Sequence, residues 1–209
     1  MTHCFSRRSF LKGSAAAAAA LTSPLLPADA ASSETENGLF SPVSAFCQTQ
    51  YGPVKGREGE NGQLCWYGIP YGAAPTGESR WTAPQEPACW HTVRDCTSPA
   101  PAAYQYTTFP LGTEDCLTLD IYSSAEAKKR PVLVYLHGSA ATGSSLELPG
   151  SELVRDAGCV FVALNYRLGL FGWNCLPALT ADPDATGNFA LLDIARALDW
   201  VRDNIRRFG

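Results

Sequence analysis

Two continuous apolar runs organise the second half of the chain. Residues 132–136 read Val-Leu-Val-Tyr-Leu and end in His137-Gly138. Residues 159–164 read Cys-Val-Phe-Val-Ala-Leu and end in Asn165-Tyr166-Arg167. A short run that is apolar at every position predicts a strand covered by helices on both faces. Between the runs, Ser151 can cap a short helix that continues through Ala157 and ends at Gly158. Strand, helix and strand in that order predict a parallel pair joined by a crossover. Further on, Leu191, Ile194, Leu198, Val201, Ile205 and Phe208 recur at spacings of three and four. That is the stripe of an amphipathic helix, with Asn188 at its N-cap. Ahead of both runs, Leu117, Leu119 and Ile121 alternate with Thr118, Asp120 and Tyr122, which predicts a half-buried strand.

The first half has a different texture. From Phe46 to Trp90 it is rich in glycine, proline and aromatic residues. Gly52-Pro53, Gly59 and Asn61-Gly62 signal turns, and residues 63–67 read as a short strand, so a small antiparallel β unit is expected. A proline-rich loop follows near residues 98–110. The fold class implied is α/β: an antiparallel β unit, then a parallel β-α-β-α succession.

Composition narrows the setting. Hydrophobic residues make up 45% and charged residues 17%, so the chain is globular rather than disordered. The net charge of −4 excludes a nucleic-acid footprint. Eight cysteines fit an oxidising compartment better than the cytosol. The N-terminus agrees: residues 6–12, Ser-Arg-Arg-Ser-Phe-Leu-Lys, resemble a twin-arginine export signal centred on Arg7 and Arg8. An alanine-rich stretch follows, and Ala28-Asp29-Ala30 offers a small-x-small cleavage site ending at Ala30. The stretch is too short and weakly apolar for a membrane span. The expected partition is a signal peptide over 1–30, a flexible leader over 31–45 and a folded part over 46–209. The product is expected in the periplasm, at the cell surface or secreted, with the export machinery as a partner.

The candidate chemistry lies after the first apolar run, in His137-Gly138-Ser139-Ala140-Ala141-Thr142-Gly143-Ser144. A strand ending in His-Gly-small-small exposes successive backbone N–H groups at the carboxyl edge of a sheet. Such donors stabilise the oxyanion of a tetrahedral acyl intermediate, and small side chains let the carbonyl approach. A phosphate loop is the rival reading, because Gly138 and Gly143 have Gly-x-x-x-x-Gly spacing. Ser144 then stands where that motif requires lysine.

Several separated stretches resemble the carboxylesterase type B family, which includes the cholinesterases. They are Gly52-Pro53-Val54-Lys55-Gly56, Tyr67-Gly68-Ile69-Pro70-Tyr71-Gly72, Glu114-Asp115-Cys116-Leu117-Thr118-Leu119, Asn165-Tyr166-Arg167-Leu168-Gly169, and Gly187-Asn188 with Trp200 to Ile205. Pro75, Gly77, Arg80, Trp81, Pro84 and Trp90 extend the second. The resemblance implies an α/β-hydrolase fold and hydrolysis of small-molecule esters by a Ser–acid–His triad without a cofactor. It places oxyanion donors at Ser139 and Ala140, with Gly138 shaping the turn. It pairs Arg80 with Glu114 as a buried structural ion pair. It leaves Cys96 or Cys89 to bridge Cys116, because Ala103 stands where the family's usual partner cysteine would be. The nucleophile would sit in a Gly-x-Ser-x-Gly elbow, and no such pattern occurs in these 209 residues. The expectation is therefore the N-terminal portion of the domain, truncated before the elbow and inactive alone. A non-catalytic adhesion module, known among relatives, is the alternative. No tryptophan lies between Ala103 and Cys116 to hold a quaternary ammonium, so choline esters are not expected substrates.

Overall fold

The computed structural model describes residues 44–59, 62–126, 129–174, 176–179 and 187–209. The signal and most of the leader expected at the N-terminus lie outside them.

Short strands β1 (Phe46–Gln48), β2 (Pro53–Lys55) and β5 (Arg94–Asp95) form a small sheet in the order β1-β2-β5. β1 pairs with β2 antiparallel, whereas β5 joins parallel to β2. The principal sheet contains β3 (Arg57–Glu58), β4 (Gln63–Pro70), β8 (Thr118–Ser124), β9 (Val132–Tyr135) and β10 (Val160–Leu164), in the order β3-β4-β8-β10-β9. β8 runs antiparallel to both of its neighbours. β9 and β10 are parallel, in register from Val132 opposite Val160 to Tyr135 opposite Ala163. Both therefore deliver their carboxyl ends, and the loops beginning at Leu136 and Asn165, to the same sheet edge. A hairpin of β6 (Gln105–Tyr106) and β7 (Pro110–Leu111) stands apart.

One face of the sheet packs on helix α1 (Gly150–Ala157) through Tyr67, Tyr122, Phe161 and Val154. The other face packs on helix α3 (Phe189–Asn204) through Leu119, Ile121, Val162, Ala197 and Trp200. Trp66 and Phe208 meet edge to face at 4.9 Å and close that core below α3.

Four details depart from the sequence reading. β9 is not covered on both faces: it is an edge strand in the described residues, with Val132 and Leu133 exposed. β8 is buried on both faces rather than one, because Thr118 and Asp120 find hydrogen-bond partners inside. Helix α1 begins two residues early, after Pro149 and without a side-chain cap, so Ser151 lies within it. Gly158 ends it at φ 61°, with its N–H on the Val154 carbonyl, which is the left-handed cap glycine favours. In α3 the buried stripe is Phe189, Ala190, Asp193, Ala197, Trp200, Val201 and Asn204, leaving Leu191 and Leu198 about half exposed. The two polar members take the inner face because each has partners there. Asp193 binds Arg167, while Asn204 accepts from the Gln50 N–H and donates to the Trp200 carbonyl.

Between the last two strands and helices lies α2 (Gly169–Gly172), a single turn. No helix among the described residues is long and apolar enough to cross a membrane.

Candidate active site

The loop after β9 leaves the sheet edge with His137 buried beneath it. The imidazole stacks on the Tyr166 ring, centroids 4.2 Å apart and planes 7° from parallel. The Tyr166 hydroxyl donates to the His137 carbonyl at 2.5 Å. Neither imidazole nitrogen has a hydrogen-bond partner, and burial pushes the ring's pKa down. His137 is therefore a neutral packing group at pH 7, fixing where the loop starts.

The turn itself falls at Ser139, whose φ of 78° lies in the left-handed region and is the one positive φ of a non-glycine among the described residues. Gly138 has open space where a Cβ would sit and takes no left-handed φ. The Ser139 hydroxyl accepts from the Ala141 N–H at 3.1 Å and the Thr142 N–H at 3.3 Å. The Ala140 carbonyl accepts from the Gly169 N–H at 2.7 Å, tying the loop to α2. Among the described residues, the N–H groups of Gly138, Ser139 and Ala140 have no partner, and all three residues are exposed. The amides of Ala141, Thr142, Gly143 and Ser144 are bound, so the loop presents the three free ones at the strands' carboxyl edge, where α/β sheets bind ligands.

Beyond the turn the loop is fastened down. Gly143 is clamped by the Gln105 side chain, and the Ser144 N–H donates to Glu147 Oε1 at 3.2 Å. A phosphate cradle needs those amides free, and a carboxylate beside them repels an anion, which removes the phosphate-loop reading. Ser145 is buried. Its N–H donates to Asn165 Oδ1 at 2.9 Å and its hydroxyl to Asp120 Oδ2 at 2.7 Å. The Gly68 N–H supplies the other Asp120 oxygen at 2.8 Å.

Burial raises the Asp120 pKa, and the Ser145 and Gly68 hydrogen bonds oppose it without cancelling it. A carboxylate with a raised folded pKa favours folding most below its unfolded pKa. That contribution is lost as pH rises through the folded value. Asp120→Asn removes the titration. Urea midpoints measured from pH 4 to pH 7 are expected to show the variant gaining on the wild type as pH rises. The opposite slope would mean that the two donors overcome burial.

Arg80 and Glu114 form a two-bonded ion pair, Nε to Oε2 at 2.5 Å and the second guanidinium nitrogen to Oε1 at 2.9 Å. The pair is partly exposed rather than buried, with 33% and 25% of the two side chains open to solvent. Its guanidinium also lies over the rings of Trp81 and Phe171.

The expected bridge is overturned: Cys96 and Cys116 are both free, buried thiols. The peptide of Cys96 bonds to Lys55 and Tyr67, while Cys116 lines a water-sized cavity with Tyr104, Arg167 and Phe171. Each is held by a different wall of the fold. Burial pushes the Cys96 thiol up to about 12 and raises Cys116 as well, so neither is reactive. Cys89 is disulfide-bonded, but not to Cys116.

Sequence reasoning missed the fully buried pair of the molecule, Arg167 with Asp193, at 2.7 and 2.9 Å. Arg167 also donates to the carbonyls of Arg80 and Thr82, at 3.0 Å each. The Asn165-Tyr166-Arg167 motif marked one partner, whereas nothing in the local sequence marked Asp193 as the other. Gln105 carried no signal at all. No group of three or more potential metal ligands occurs among the described residues.

A parallel strand pair whose carboxyl edge carries a loop with free amides is the arrangement of an α/β-hydrolase sheet. Comparison with known proteins makes the assignment specific. The Carboxylesterase family profile matches residues 43–209, and a twin-arginine translocation signal matches residues 4–24. The chain belongs to the carboxylesterase family. It is 40% identical over 173 residues to the para-nitrobenzyl esterase of Bacillus subtilis, covering 77% of this chain and 35% of that protein. It is 37% identical over 174 residues to the fumonisin B1 esterase of Sphingopyxis macrogoltabida, covering 77% and 32%. The crystal structure of the Geobacillus stearothermophilus carboxylesterase Est55 at pH 6.2 superposes with a TM-score of 0.71 at 38% identity, over 79% of this chain and 35% of that one. The chain spans about a third of the length of these relatives. Its N-terminal signal directs it through the twin-arginine route to the periplasm or beyond.

Proposed function

We propose that this chain is the oxyanion-bearing, N-terminal part of a serine carboxylic ester hydrolase that acts on small-molecule esters after export. The single observation that carries this is the set of partnerless amides that includes Ser139 and Ala140, held at the strands' carboxyl edge while the donors that follow them are bound. Two preorganised donors are what a developing oxyanion requires. Cleavage after Ala30, a leader over 31–45 and a hydrolase portion over 46–209 belong to the same reading. A non-catalytic binding module is the second reading, favoured by one observation: the exposed turn carries the Ser139 side chain where a substrate carbonyl must approach closely.

A chimera separates the two. Residues 43–209 replace the matching third of the Bacillus subtilis para-nitrobenzyl esterase, and hydrolysis of a p-nitrophenyl ester is followed. The chimera is expected to turn over, whereas the 209-residue chain alone is expected to match buffer. A folded chimera without turnover would favour the binding module. Rapid, inhibitor-sensitive hydrolysis by the unaided chain would overturn the assignment of the nucleophile to sequence outside it.

A further inference from the structure

The hairpin β6–β7 reaches the oxyanion loop through one side chain. Gln105 is buried, and its Nε2 donates to the Gly143 carbonyl at 2.8 Å while its Oε1 accepts from the Gly143 N–H at 3.0 Å. The second Nε2 proton goes to the Ala103 carbonyl at 3.1 Å. The orientation of this amide is fixed by its surroundings. Turned over, it would set Oε1 against two carbonyls and Nε2 against an N–H. Gly143 permits the close approach: it has φ 142°, and a Cβ there would lie 2.2 Å from His137 Nδ1.

The contacts close into a ring. Gln105 holds Gly143, three residues after Ala140. The Ala140 carbonyl takes the Gly169 N–H of α2. Two residues on, the Phe171 ring meets the Tyr104 ring edge to face at 5.4 Å. Tyr104 is the neighbour of Gln105, and its own N–H donates to the Thr113 carbonyl at the hairpin's base. Hairpin, loop and α2 therefore share one set of constraints, and the Ser139 and Ala140 amides lie inside it.

We propose that Gln105 is a positioning residue: its two bonds to Gly143 couple the β6–β7 hairpin to the oxyanion amides, so that hairpin, loop and α2 hold or release them together. The meaning for catalysis rests on the esterase reading above; the coupling itself does not.

The test uses the full chain and amide exchange by NMR. Gly169 reports on the Ala140 carbonyl and Ser145 on the far end of the loop; neither touches Gln105. Val162 in β10 reports on the fold. Gln105→Leu removes all three side-chain bonds at similar volume. Protection at Gly169 and Ser145 is expected to fall about tenfold or more with Val162 unchanged, the effect of losing a buried hydrogen bond of ordinary strength. A local role for Gln105 would move neither reporter. Gln105→Glu adds a signature. Its carboxylate accepts from the Gly143 N–H but repels both carbonyls, and protonation restores one donor. Gly169 protection, as a ratio to wild type at the same pH, is expected to rise on acidification. Gly169 and Ser145 protection within twofold of wild type in a folded Gln105→Leu overturns the coupling. If that variant unfolds, a pH-independent ratio in Gln105→Glu overturns it instead. An inactive chimera with lost Gly169 protection keeps the coupling and removes only its catalytic meaning.

Discussion

Arg167→Met is expected to destabilise the chain by about 3–5 kcal/mol at neutral pH, the largest loss from any single substitution considered. The Arg167 guanidinium and the Asp193 carboxylate are both essentially inaccessible, and they bond through two nitrogens to two oxygens. The Arg167 N–H adds a third bond to Asp193 Oδ2, at 3.1 Å. The substitution leaves Asp193 buried on α3 without its cation and strips the Arg80 and Thr82 carbonyls of their donor. Burial already holds the Asp193 pKa up against Arg167, which lowers it. Without Arg167 the pKa must climb further. A raised carboxylate destabilises the fold increasingly as pH rises from its unfolded value through its folded one. The variant's deficit should therefore be larger at pH 7 than near pH 4. Urea unfolding at the two pH values checks both the size and the sign. A double variant, Arg167→Met with Asp193→Leu, should recover part of the loss by leaving no lone charge. A single variant that loses less than about 1 kcal/mol would mean that water reaches the pair after all.

The sheet was legible because its signal is local. The runs at 132–136 and 159–164 are strands because β-branched and aromatic residues crowd between turn signals, and that needs no knowledge of the partner. Which strand becomes an edge is a property of the assembled order β3-β4-β8-β10-β9, and the exposure of Val132 and Leu133 follows from that order. The misread stripe of α3 has the same origin. Counting leucines favours Leu191 and Leu198, but Asp193 and Asn204 turn inward because partners wait at Arg167, Gln50 and Trp200. A buried polar residue with a distant partner looks in sequence like an exposed one. At the site, the residues offering backbone donors could be read from glycine and small residues after a strand. The groups that hold them, Gln105, Asp120 and Asn165, lie 20 to 38 residues from their partners in the loop along the chain, and nothing in their local sequence says which loop atoms they bind. The left-handed φ at Ser139 is visible only in the structure.

Ala140→Pro in the chimera is expected to lower kcat by about 10²–10³, the usual loss on deleting one oxyanion donor. Proline removes the Ala140 N–H and also presses on the backbone of Ser139 before it, so loop position must be read separately. The Ala140 carbonyl remains to accept from Gly169, so exchange at the Gly169 amide tells whether the loop has kept its place. Ala140→Gly keeps the N–H and is expected to stay within several-fold of the parent. Ser139→Gly supplies the opposite sign. Serine at φ 78° carries about 1–2 kcal/mol of left-handed strain that glycine does not. The lost hydroxyl frees the Ala141 and Thr142 amides at an exposed turn where water replaces it. Turnover is expected to hold or rise. An Ala140→Pro chimera that keeps its Gly169 protection and turns over within tenfold of the parent would move the oxyanion elsewhere. So would a collapse of turnover in a folded Ser139→Gly, since that change leaves both donors present and relaxes the backbone that aims them.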